Sequence, residues 1–95
     1  MLYTILKKSF KRTKGVDKTY KVIGKLETFG YASSKEQFKD LAKSIWYFTL
    51  TDYWQVKLTS FNEHGFTFIY SNNGIDWYKD VYTLKANQEK GGHYV

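Results

Sequence analysis

The chain has 95 residues, a net charge of +6 and 20% aromatic residues, with neither cysteine nor proline. A chain this short supports one hydrophobic core and so one domain, 1–95, and aromatic rings that each bury roughly 150–250 Å² can build that core unaided. The missing cysteine excludes disulfides, thiolate metal sites and cysteine nucleophiles, and no stretch approaches the ~20 apolar residues of a membrane-spanning helix.

The first predicted element is a strand, Leu2 to Phe10, with Leu2, Thr4 and Leu6 on one side and Tyr3 and Ile5 on the other. Lys11 to Lys18 reads as a turn around Gly15. Thr19 to Thr28 is a second strand, rich in β-branched and aromatic residues, with Gly24 marking a bulge. These two strands make a basic β-hairpin within residues 1–30.

Ser33 with Glu36 and Ser34 with Gln37 form two overlapping capping boxes. Phe38, Leu41, Ala42, Ile45 and Phe48 follow at helical spacing, which predicts a helix over about 34–48. Its Lys35, Lys39 and Lys43 lie four apart and read as a solvated face, softened by Glu36 and Asp40 three residues ahead of Lys39 and Lys43. From Thr49 to Phe61 the period shifts to that of a strand, centred on Trp54, Val56 and Leu58. Asn62-Glu63-His64-Gly65 is a turn, Phe66 to Tyr70 a strand, and Asn72-Asn73-Gly74 a second hairpin turn. Ile75 to Leu84 closes the antiparallel strands of 53–84, with alternation slipping at Lys79-Asp80 as a bulge or break would cause. Residues 86–95 read as a frayed tail. The expected fold is α+β in the order β-β-α-β-β-β, a mostly antiparallel sheet with one helix packed on a face.

Two local resemblances appear along the way. Ser71-Asn72-Asn73-Gly74-Ile75-Asp76-Trp77 resembles a hairpin turn of discoidin-type and sialidase-type β proteins, which implies a structural turn with tryptophan packed beneath it. Phe29-Gly30-Tyr31 leading into Ser34-Lys35-Glu36-Gln37 is similar to the strand-to-helix entry of arm-binding domains in tyrosine recombinases. That similarity spans under a third of the chain, the strands after the helix depart from it, and no residue role is carried over.

Charge is the least generic feature. Residues 1–30 hold eight Lys/Arg against two acids, whereas residues 31–95 hold seven lysines against seven acids. Such asymmetry points to a polyanionic partner, although lysines on a hairpin also serve to keep sheet edges from pairing. The Leu2–Leu6 start precedes Lys7 and Lys8, the reverse of a secretory signal, so the expected location is cytoplasmic. The dominance of Lys, Tyr, Phe, Asn and Ile suits an A/T-rich bacterial, phage or mobile-element source.

No catalytic motif is legible. His64 sits in a turn and His93 in the tail, so no metal site is expected. No phosphate-cradling glycine loop or Ser-His-acid set is present, Asp76 and Asp80 read as edge charges, and neither enzyme activity nor a cofactor is expected.

The favoured function is non-sequence-specific nucleic-acid binding, DNA or RNA, through the basic hairpin. Lys7, Lys8, Lys11, Arg12, Lys14, Lys18, Lys21 and Lys25 are the candidate phosphate contacts. Tyr3, Tyr20, Phe29 and Tyr31 are the candidate base-stacking residues. A single arginine disfavours bidentate guanine reading. The alternative is a phage- or mobile-element-type protein that binds an acidic host-protein surface, as an inhibitor or modulator. Its candidate interface residues are Trp46, Tyr47, Tyr53, Trp54, Trp77 and Tyr78.

Overall fold

A computed structural model describes residues 2–53 and 55–87. The strands are β1 (Tyr3–Thr13), β2 (Lys21–Ala32), β3 (Gln55–Asn62), β4 (Gly65–Ser71) and β5 (Asp76–Ala86), and the helix α1 (Lys35–Asp52) falls between β2 and β3. The order β-β-α-β-β-β and the α+β class are those predicted. All five strands join one antiparallel sheet in the order β2-β1-β5-β4-β3.

Several boundaries differ from the pattern, each for a physical reason. β1 runs on to Thr13 because Lys11, Arg12 and Thr13 pair with Tyr78, Trp77 and Asp76 of β5, far away in sequence. β2 begins only at Lys21, since the Asp17 carboxylate accepts the Thr13 amide at 2.9 Å and closes a turn first. Its far end extends to Ala32, paired with Tyr3. Gly24, with φ of 76°, sits where the β1–β2 register shifts, the predicted bulge.

The helix starts where the capping signal places it. Ser34 Oγ accepts the Gln37 amide at 3.1 Å, and Gln37 Oε1 accepts the Ser33 amide in return. The Ser33–Glu36 box does not form: the Ser33 hydroxyl instead donates to Gln37 at 3.0 Å. At its other end α1 outruns the predicted limit. Thr49 and Thr51, residues that suggest a strand, lie inside it with their hydroxyls donated to the carbonyls of Ile45 and Phe48, and the Tyr53 amide closes the helix on the Thr49 carbonyl.

α1 follows β4. Phe38 packs on Phe66 with ring centres 5.0 Å apart, Trp46 on Phe68 at 5.6 Å, and Tyr53 on Tyr70 at 4.4 Å. The core is Ile5, Ala32, Phe38, Ala42, Phe66, Phe68, Tyr82 and Leu84, and each fully buried large side chain stabilises by roughly 1.5–3 kcal/mol. Strand alternation places Tyr3, Ile5, Lys7, Ser9, Lys11 and Thr13 on the helix face together with Asp76, Tyr78, Asp80, Tyr82 and Leu84. Leu6, Lys8, Phe10 and Arg12 share the open face with Trp77, Lys79, Val81 and Thr83.

Two expectations for β5 are corrected. Its pairing with β1 and β4 runs without a shift through Lys79 and Asp80, so there is neither bulge nor break there. Asp76 and Asp80 are not edge charges either, because β5 is the central strand. Asp80 is a buried carboxylate at an inward position, accepting from Ser9 Oγ at 2.8 Å and from Tyr70 OH at 2.9 Å. The predicted turn at 72–74 forms: Asn73 Oδ1 accepts the amides of Ile75 and Asp76, and Trp77 Nε1 donates to the Gly74 carbonyl. The predicted tail beyond Asn87 lies outside the described residues.

Candidate nucleic-acid interface

The pleat of the sheet sorts charge. The acids carried by strands are Glu27, Asp76 and Asp80, and register puts all three on the helix side, opposite or beside Lys7, Thr13 and Ser9. The open face of β1, β5, β4 and β3 carries Lys8, Arg12, Lys79, Lys85 and Lys57 and, among the described strand residues, no carboxylate. Among the described residues the strand cations of this face have no ion-pair partner, whereas Lys7, Lys11 and Lys21 on the other side are paired.

Within this face the cations are interleaved with rings. Lys79 Nζ stands 4.6 Å from the Phe10 ring centre and 4.8 Å from that of Tyr20. Lys8 Nζ also approaches Phe10, at 5.9 Å from its ring centre. Arg12 and Trp77 are direct cross-strand partners, and Arg12 Nε donates to the Asp17 carbonyl, with no ion pair to Arg12 among the described residues. Such cation–ring contacts are worth ~0.5–1 kcal/mol each where solvent reaches them. Burial against this cluster raises the Tyr20 phenol above its ordinary value, the Arg12 charge opposing it. The result is a surface of half-buried rings beside cations, groups of the kinds that meet bases and phosphates.

The eight predicted phosphate contacts divide between the faces. Lys8 and Arg12 lie on the open face. Lys7, Lys11 and Lys21 lie on the helix side and reach Asp80 at 3.9 Å, Asp76 at 4.0 Å and Asp17 at 3.2 Å. Lys14, Lys18 and Lys25 are exposed around the hairpin tip and the Gly24 bulge. Hydrogen bonds from Thr13, with Lys21 adding its charge, hold the Asp17 carboxyl below its usual range. Bonds from Asn73 and Thr13 do the same for Asp76.

The predicted stacking residues divide as well. Tyr20 belongs to the open-face cluster, and Tyr31 is exposed on that face beside Thr4. Tyr3 packs against the core, and Phe29 meets Tyr82 edge-on at 5.1 Å beneath Lys7. Of the aromatic interface candidates, Trp46 and Tyr53 pack onto the sheet, Tyr78 stacks on Tyr70 under Lys11, and Trp77 joins the open face. Tyr47 is 70% exposed on the outside of α1. Trp54 lies outside the described residues.

Phe10, Lys57, Lys79 and Lys85 complete the face and were not singled out by the sequence. Trp77, Lys79 and Val81 do alternate, but the polar pair Lys79-Asp80 reads locally as a break, and alternation does not say which rings lie across from a face. Among the described residues no three His, Cys, Asp or Glu side chains converge as a metal site would require. No helix among them is long and apolar enough to cross a membrane. No family model, no curated protein sequence and no solved structure matches the chain.

Proposed function

We propose that this protein binds nucleic acid without sequence specificity, through the open face of its sheet. The observation that carries the reading is the face, without a carboxylate among the described strand residues, on which Lys8, Arg12 and Lys79 interleave with Phe10, Tyr20 and Trp77. Lysines supply point charges for phosphates, and ring faces accept any base, so the expected ligand is a single strand with little base preference. The basic hairpin tip, Lys14 and Lys18, extends the positive field beyond the face and favours encounter.

Titration with single-stranded and duplex DNA and RNA, followed by Trp fluorescence, tests this. Trp77 makes the signal sensitive to the proposed face. Binding should favour single strands and weaken with salt, with a slope of roughly 0.7 per phosphate neutralised. Absence of binding at low salt would remove the proposal.

A further inference from the structure

The two edges of the sheet differ in kind. β2, at one edge, belongs to residues 1–30, which hold eight Lys/Arg against two acids, and its pairing with β1 is interrupted twice by register shifts. Lysines and bulges of this sort keep an edge from pairing with another chain. At the other edge, α1 and β3 belong to residues 35–63, which hold four lysines against four carboxylates. The charge excess therefore lies at the far edge from β3, and like molecules can approach one another along the β3 side without it.

This neutral side is also apolar and hollow. Between α1 and β3 runs a cleft of about 300 Å³, walled by Trp46, Tyr47, Leu58 and Phe61 with Phe68 at its floor. Tyr47 is 70% exposed at its rim, and Leu58 and Phe61 are 42% and 44% exposed. Leu50, three residues on from Tyr47 along the same side of the helix, is 44% exposed. Single exposed apolar residues need no explanation, but a contiguous group around a cleft marks an interaction site. The surface offers both an exposed ring and a hollow able to receive one, the self-complementarity that a two-fold contact requires.

We infer that this side docks a second copy of the chain about a two-fold axis normal to the sheet beside Leu58. That axis sets the two β3 edges antiparallel and keeps both helices on one side of the sheet. Trp46 packs on Phe68, which pairs with Leu58, so its neighbour Tyr47 lies level with the axis and enters the cleft of the other copy. Lys43, one turn before Tyr47, then faces the last turn of the second copy's helix, which carries Asp52 and no base; a cation suits that end of a helix. The register shift between Leu58 and Ser60 interrupts β3, so side-chain packing in the two clefts, rather than a continuous strand ladder, carries the contact. A stable pair needs ~800 Å² per partner. A side one helix and one strand deep, running roughly 26 Å along the eight residues of β3, is of that order.

Sedimentation of the whole chain without nucleic acid tests this, and its outcome is independent of the nucleic-acid reading. The parent chain should be a dimer at high concentration and dissociate on dilution, and Tyr47→Ser should weaken the dimer at least roughly tenfold. The chain has no cysteine, so single cysteines supply a second readout that misfolding cannot imitate. Leu58→Cys, beside the axis, should form a disulfide-linked dimer on oxidation. Leu26→Cys on the β2 edge, 57% exposed, should not cross-link under the same conditions. A monomer at every concentration would overturn the inference. So would a dimer that Tyr47→Ser leaves intact, or cross-linking at Leu26→Cys as fast as at Leu58→Cys.

Discussion

Lys79 and Asp80 are neighbours in the chain and stand on opposite faces of the central strand. Lys79 rises between the rings of Phe10 and Tyr20, while Asp80 is buried between the hydroxyls of Ser9 and Tyr70. One peptide unit thus separates the most aromatic-bound cation of the open face from the most buried acid of the helix face. The hydroxyl pair holds Asp80 inside, and its negative charge is kept from the face where phosphates are expected to lie.

The first prediction concerns that anchor. Asp80→Ala leaves two hydroxyls beneath the sheet without their acceptor and Lys7 without its carboxylate. Unpaired buried groups cost about 1–3 kcal/mol each, so urea denaturation should show a loss of roughly 2–6 kcal/mol. Tyr70→Phe removes one of the two bonds and should lose roughly half as much.

A second prediction concerns pH. Burial, then the nearby Asp80 charge, raises the phenols of Tyr70 and Tyr82 well above the ordinary 10.0. A raised folded value means that the folded state keeps protons which the unfolded chain releases. Stability from these two groups is complete below about pH 10 and falls as pH climbs above it. Absorbance titration should show Tyr70 and Tyr82 ionising last, and Tyr70→Phe should flatten the alkaline loss. At the acid end, Asp17 and Asp76 are held below 3.8, so their contribution is present above that pH and disappears as pH falls beneath it.

The third prediction uses two glycines. A Cβ on Gly65 would run into the backbone carbonyl of Tyr82, where β4 meets β5, and backbone cannot step aside cheaply. Gly65→Ala should destabilise by roughly 1–3 kcal/mol. Gly30, also in a strand, has open space around its Cβ position and no positive φ. Gly30→Ala should leave the melting temperature nearly unchanged, and equal effects at the two sites would contradict the β4–β5 register.

Local signals were legible in the chain; distant pairings were not. The Ser34–Gln37 cap and the Phe38–Ala42–Ile45 stripe announce α1 because all their partners lie within one or two turns. The turns at 62–65 and 72–74 are equally local. The end of α1 is not legible locally, because Thr49 and Thr51 are β-formers that nevertheless lie within the helix. The inward Asp80 looked like a lapse in alternation because its partners, Ser9 and Tyr70, come from two other strands. For the candidate face, alternation already separates Lys7 from Lys8. That Lys79 would complete a cluster with Phe10 depends on β5 lying beside β1, a pairing across most of the chain.

The most direct test of the central claim compares the two faces by charge. One variant carries Lys8→Gln, Arg12→Gln and Lys79→Gln on the open face; the other carries Lys7→Gln, Lys11→Gln and Lys21→Gln on the helix side. Both lose the same formal charge, so a general electrostatic attraction would weaken equally in each. The account predicts that single-stranded DNA affinity at near-physiological salt falls at least roughly tenfold in the first, with a salt slope shallower by about 2, and changes little in the second. Equal losses, or a larger loss in the second, would contradict an open-face binding site.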